Sequence, residues 1–147
     1  MDAARLPGCR AGGYHQMAML MDVQRQVDYW RTGAAEDFAA AHDLLDKRHF
    51  RLALFMVHLS IEKILKAHVC QVTGDYAPRT HSLIRLVELA KLGLSEGELD
   101  FMATLDRYNM AGRYPDPTAP NPTENEAATV CRHAEEMLKC LQQRLSK

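Results

Sequence analysis

Apolar residues return every three or four positions along most of this chain, and that spacing constrains the fold more than any other feature. Val23, Val27, Trp30, Ala34, Phe38, Ala41 and Leu45 form one stripe, the repeat expected of a helix face set against a core. Gln24, Arg31, Glu36, Asp43 and Asp46 fall on the other side. A first helix over about 22–47 follows. The stretch from His49 to about Thr73, with LALFMVHLSIEKILKAHV at its centre, is apolar almost all round in its first half. Such a helix belongs in the middle of a bundle, with neighbours on several sides. Gly74 and Pro78 mark its end.

A shorter helix is expected from about Thr80 to Leu92, with Leu83, Leu86, Val87 and Ala90 on one side and Gly93 as its stop. Ser95 and Glu98 then form a capping box for a fourth helix through Phe101, Met102, Leu105 and Tyr108, because each side chain can bond the other's backbone N–H. Prolines 115, 117, 120 and 122 make an extended connector, since proline lacks a donor and fixes φ. Thr123 and Glu126 form a second capping box, and Ala127, Val130, Ala134, Leu138, Leu141 and Leu145 give the stripe of a last helix. No run alternates β-branched and polar residues as a strand would. The expected fold class is all-α, an up-down helical bundle of about five helices. Residues 1–21 are expected to be a flexible tail, because Pro7, Gly8, Gly12 and Gly13 oppose a helix. Met21, just ahead of the periodic segment, is a second candidate start.

Composition narrows the function classes. The 147 residues are 47% hydrophobic, enough for one core. Eighteen basic residues against nineteen acidic ones leave a net charge of −1, which gives no bulk drive towards nucleic acid or membrane. No apolar run approaches the roughly 18–20 residues of a membrane span. Cys9, Cys70, Cys131 and Cys140 contain no C-x-x-C pair, so neither a zinc module nor a redox motif is expected, and a cytoplasmic setting is. Local charge is less even. Residues 47–91 hold eight Lys/Arg against three acids, whereas 92–128 hold two against seven. That split suits self-association or docking to a charged partner, or simply reflects solvated helix faces.

No phosphate loop and no dinucleotide-binding glycine motif occurs. The inward Glu-x-x-His pairs of a di-iron bundle are missing too, and His58 with Glu62 alone makes no metal site, so neither a metal nor a cofactor is expected. Other residues are of the right type for phosphate chemistry. Lys63 and Lys66, three apart, either meet one phosphate or coat a helix beside Glu62. His81, placed just after the expected helix start, either faces a bound anion there or caps and packs. Asn109, Arg113 and Tyr114 flank the break before the prolines. A guanidinium beside an aromatic ring can bind phosphate and stack on a base. Alternatively, Arg113 pairs with Asp116 or caps the fourth helix while Tyr114 packs on the bundle.

Taken together, Trp30, Ser60-Ile61-Glu62-Lys63-Ile64-Leu65-Lys66-Ala67, Thr80-His81-Ser82-Leu83 and Arg113-Tyr114-Pro115 resemble, in order and spacing, the HEPN family of small helical domains associated with nucleotide binding. The resemblance spans roughly residues 22–145, which would make 22–147 one HEPN-like domain. Leu59 and Ser60 stand where the family usually has a glutamine ahead of the Glu-Lys pair. The resemblance implies a homodimeric nucleotide- or phosphate-binding module, often a partner of a small nucleotidyltransferase in a toxin–antitoxin type system. It implies the site on Lys63, Lys66, His81, Asn109, Arg113 and Tyr114. Other relatives resemble RNA-cleaving toxins that carry Arg-x4-6-His on a late helix. Neither Arg107 nor Arg113 is followed by such a histidine, and the formal matches Arg10–His15 and Arg51–His58 fall elsewhere. A metal-independent endoribonuclease using His81 and Arg113 is therefore the alternative, and a purely structural subunit a third. Dimerisation is also expected from the second helix, whose apolar circumference exceeds what a short chain should cover.

Overall fold

A computed structural model describes the backbone of residues 11–145 and the side chains from residue 22 onward within that range. Five helices follow in order: α1 (Ala11–Asp46), α2 (Phe50–Thr73), α3 (Leu83–Leu89), α4 (Glu96–Arg113) and α5 (Glu124–Leu145). No strand occurs among the described residues. α2 is the axis of the bundle and packs against the other four helices. Its buried residues run from Ala53 to Cys70, because its apolar positions go all round, so any neighbour meets a hydrophobic face. That coverage comes from within one chain. The expectation that α2 would be left partly bare for a second copy is therefore corrected, and its exposed large apolar residues are only Leu52 and Val72.

Small residues let α1 and α2 lie close. Ala34 and Ala41 on α1 are fully buried, and the Ser60 hydroxyl on α2 donates to the Ala34 carbonyl at 2.7 Å. His68, further along α2, shares a hydrogen bond through Nε2 with the buried Leu141 carbonyl of α5 at 2.9 Å. Because that carbonyl can only accept, Nε2 carries the hydrogen. Burial lowers the pKa of His68 below its ordinary 6.5, against the opposing effect of that bond.

Most helix ends follow their local chemistry. Gly74 closes α2 at φ 68°, the left-handed conformation that glycine adopts without cost. Both capping boxes form: Ser95 with Glu98, and Thr123 with Glu126. The segment 114–123 between α4 and α5 is non-helical.

Three boundaries differ from the sequence expectation. α1 begins at Ala11 rather than near 22, so residues 11–21 are helical in backbone. Gly12 and Gly13 each cost about 1 kcal/mol there, which the long helix-favouring run from Tyr14 to Met21 can offset. The expected tail otherwise concerns residues 1–10, which lie outside the described residues. α3 starts at Leu83 with Ser82 as its N-cap, not at Thr80, because Asp106 of α4 accepts the Leu83 N–H at 3.1 Å and anchors the first turn. It also stops early. Leu92 N–H bonds the Val87 carbonyl at 3.2 Å and Lys91 N–H bonds Glu88 at 3.1 Å, closing the helix with Lys91 left-handed at φ 53°. Gly93 has no part in that stop.

The same closure ends α1, with Arg48 left-handed at φ 65°. His49 N–H bonds Leu44 and Arg48 N–H bonds Leu45. A side chain in this conformation costs roughly 1 kcal/mol relative to glycine. Lys91→Gly should therefore stabilise the protein by about 0.5–1 kcal/mol, raising Tm by about 2–4 °C. A thermal melt of the two proteins checks this, and an unchanged or lower Tm contradicts it.

Candidate functional site

The loop before α3 meets the end of α4 above the middle of α2, and the candidate residues gather there. The Thr80 hydroxyl accepts the Ser82 N–H at 3.2 Å, and Ser82 caps α3 by accepting from Arg85 N–H at 3.3 Å. Asp106 holds Leu83 N–H from the other side. Between these anchors His81 is turned down onto α2, where its Nδ1 lies 2.8 Å from Glu62 Oε1. The Leu83 and Arg85 N–H groups of the first turn of α3 are thus taken by Asp106 and Ser82. His81 precedes the N-cap, so the expected anion position at a helix start is corrected.

Glu62 is only 4% exposed, and Lys66 6%. Neither coats a helix surface. Lys66 Nζ lies 3.4 Å from Glu62 Oε2 and 5.1 Å from the centre of the Trp30 ring, so the buried ammonium is matched by a carboxylate and an aromatic face. An ionised carboxylate accepts only, which fixes the His81 hydrogen on Nδ1 and leaves Nε2 as the free lone pair. The side chain of His81 is half exposed.

Arg113 closes the other side. Its Nε–H donates to Asn109 Oδ1 at 2.8 Å, and its guanidinium stands 5.5 Å above the Phe55 ring. Nη2 approaches His81 Nδ1 to 3.4 Å, but that nitrogen donates to Glu62, so the approach is a contact between two donors and not a second hydrogen bond. Among the described residues no carboxylate pairs with Arg113. Asp116 instead accepts from Thr118 N–H and Oγ1, which holds its carboxyl below the usual range. Tyr114 is 72% exposed and does not pack on the bundle. An open cavity of about 380 Å³ lies between these groups, lined by His81, Ser82, Asp106, Asn109, Met110, Arg113 and Tyr114.

Four of the six residues singled out in the sequence, His81, Asn109, Arg113 and Tyr114, therefore share one cavity. Lys66 stands behind it through Glu62. Lys63 does not join them: it pairs with Asp37 at 2.7 Å and opens on a separate groove beside Arg25, Tyr29 and Gly33 of α1. Lys63 and Lys66 accordingly do not converge on one phosphate. The Arg51–His58 match is also separated, with Arg51 exposed and the fully buried His58 3.0 Å from Asp106 Oδ1.

Sequence reasoning missed Asp106, Phe55 and Gly112, and it undervalued Glu62. An acid directly after the largely apolar Leu52–Ile61 run, on the same buried helix, was the available signal for Glu62. No such signal marks Gly112. A Cβ there would lie 2.5 Å from the Phe55 ring and 2.8 Å from its Cβ, so α4 approaches α2 closely only because position 112 has no side chain. An ordinary Gly→Ala change within a helix gains about 1 kcal/mol. Gly112→Ala should instead cost about 1–3 kcal/mol through overpacking and shift the Phe55 seat under Arg113. Chemical denaturation measures the sign, and stabilisation would contradict the close approach.

Among the described residues no helix is long and apolar enough to cross a membrane. No curated protein matches the chain. Solved structures that share the fold include two chains matched almost end to end. TT1696 from Thermus thermophilus is 23% identical, with a TM-score of 0.67 over 80% of this chain and 97% of its own. ST0689, an archaeal HEPN homologue, is 22% identical, with a TM-score of 0.65 over 81% and 97%. The sequence pattern of the HEPN domain matches residues 27–145, and so this chain, whose five helices follow that architecture, belongs to the HEPN domain family.

Proposed function

We propose that this HEPN domain binds a nucleotide or other phosphate-bearing ligand in the cavity between the pre-α3 loop and the end of α4. It would act as a homodimer, as partner of a small nucleotidyltransferase in a toxin–antitoxin type system. The observation that carries the reading is the Arg113 guanidinium. It is anchored through Nε to Asn109, supported by Phe55, and lines an open cavity beside His81 with no carboxylate paired to it among the described residues. A pre-oriented guanidinium can give phosphate two parallel hydrogen bonds, and anchoring reduces the ordering cost of binding. When protonated, His81 can donate from Nε2 as a second contact, and the exposed Tyr114 ring offers a stacking surface for a base.

Isothermal titration with mononucleotides, nucleoside triphosphates and a short RNA tests this reading. Arg113→Ala should weaken binding by about 1.5–3 kcal/mol, the range for hydrogen bonds to charged groups, with its circular dichroism unchanged. Equal binding by the folded variant, or no binding by the wild type, refutes it. Sedimentation at micromolar concentration should show a species of twice 16.6 kDa. A monomer alone refutes the dimer.

One observation favours a second reading, metal-independent RNA cleavage. The Glu62–His81 contact leaves Nε2 as a basic nitrogen facing the cavity, the arrangement a general base requires. In that chemistry His81 takes the proton from a ribose 2′-hydroxyl, the 2′-oxygen attacks the adjacent phosphorus, and the 5′-oxygen leaves as a cyclic phosphate forms. Arg113 would hold the phosphate charge. Cleavage of total RNA by the wild type but not by His81→Ala supports it, and intact RNA rejects it.

A further inference from the structure

We infer that the cavity is built for a ligand with a single phosphate group, a nucleoside monophosphate, and that it disfavours the corresponding triphosphate. This rests on the nucleotide-binding reading above and names its ligand class. Charge on the lining decides it. The cations are Arg113 and, when protonated, His81. Lys66 is already matched by Glu62 beneath the floor, and Lys63 is held by Asp37 on a different face.

The same lining also carries a carboxylate, Asp106, whose side chain is 27% exposed. It is fixed there by the Leu83 N–H, which reaches both its oxygens at 3.1 and 3.2 Å, and by His58 Nε2 at 3.0 Å. A monophosphate can take the Arg113 fork and, when His81 is protonated, a hydrogen bond from its Nε2–H, and leave Asp106 to its nucleoside. Each further phosphate adds negative charge with no added cation on the lining, and it extends the anion across a cavity that already holds a carboxylate. The nucleoside has complementary partners. Asp106 Oδ2, which among the described residues accepts only from Leu83 N–H, retains a lone pair for a ribose hydroxyl or an exocyclic amine. Met110 and Tyr114, 57% and 72% exposed, offer a flat apolar edge for the base. A volume of about 380 Å³ is of the size that takes one small ligand.

The test is titration of the full chain with AMP, ATP and inorganic phosphate at constant ionic strength without divalent cations. AMP should bind at least about tenfold more tightly than inorganic phosphate, and ATP no more tightly than AMP. Asp106→Asn, which keeps an acceptor for Leu83 N–H, should improve ATP binding relative to AMP by about tenfold. ATP or a short RNA binding tenfold more tightly than AMP through Arg113 overturns the inference and leaves the nucleotide-binding reading standing. Inorganic phosphate matching AMP overturns it as well, because the nucleoside then contributes nothing. Should the folded Asp106→Asn protein discriminate as the wild type does, the carboxylate is not the selecting group and the inference fails. If Asp106→Asn does not fold, the wild-type ranking of the three ligands decides alone. No binding of any nucleotide removes both the inference and the reading.

Discussion

A buried carboxylate organises this molecule. Glu62 sits on the central helix at 4% exposure, and both its oxygens are committed, one to His81 and one to Lys66. Taking an acid and an ammonium out of water is costly, and mutual attraction offsets that cost only where geometry and further contacts are good. Here the Trp30 ring completes the Lys66 environment. Removing Glu62 alone would leave a buried cation without its counter-charge and His81 without its tether. The network links three separate parts of the chain. It ties α1, α2 and the loop before α3 to one register, and it sets which nitrogen of His81 faces outward.

A second constraint is steric. α4 can cross α2 near its end only because Gly112 presents no side chain to Phe55. That approach gives Phe55 its place under the Arg113 guanidinium. Arg113 is then directed by packing on one side and by Asn109 on the other, so the orientation of a surface cation depends on a glycine beside it in the chain. Asp106, one turn before Met110, works in both directions: it anchors the first turn of α3 and places a negative charge on the cavity lining. Fold and candidate site are therefore built from the same residues. Substitutions that loosen the α2–α4 contact should displace Arg113 and lower stability together.

Much of the fold was legible in the chain. The stripe from Val23 to Leu45, the all-round apolar α2, the two capping boxes and the proline connector each encode their own element. Those signals are local, involving partners three or four residues apart. Boundaries set by distant partners were not legible. α3 starts at Leu83 because Asp106, 23 positions on, supplies an acceptor, and it stops at Leu89 because Leu92 closes the turn behind it while joining the core. The N-terminal extension of α1 through Gly12 and Gly13 overrode a propensity rule that carries only about 1 kcal/mol per glycine.

The candidate site divides in the same way. Residue types and spacing singled out His81, Asn109, Arg113 and Tyr114, and the fold brings these four to one cavity. Spacing alone also suggested that Lys63 and Lys66 act together, and only the packing separates them. At three residues apart they stand about 60° short of a full turn about the α2 axis, enough for one to meet Asp37 on α1 and the other Glu62. What the sequence by itself determined is the set of helices and their order, since helical periodicity is written in near neighbours. What only the tertiary structure decided is which charges are buried and matched and which remain open to a ligand. Pairing depends on residues 19 and 48 positions apart, as in Glu62–His81 and His58–Asp106, and no local pattern encodes such distances.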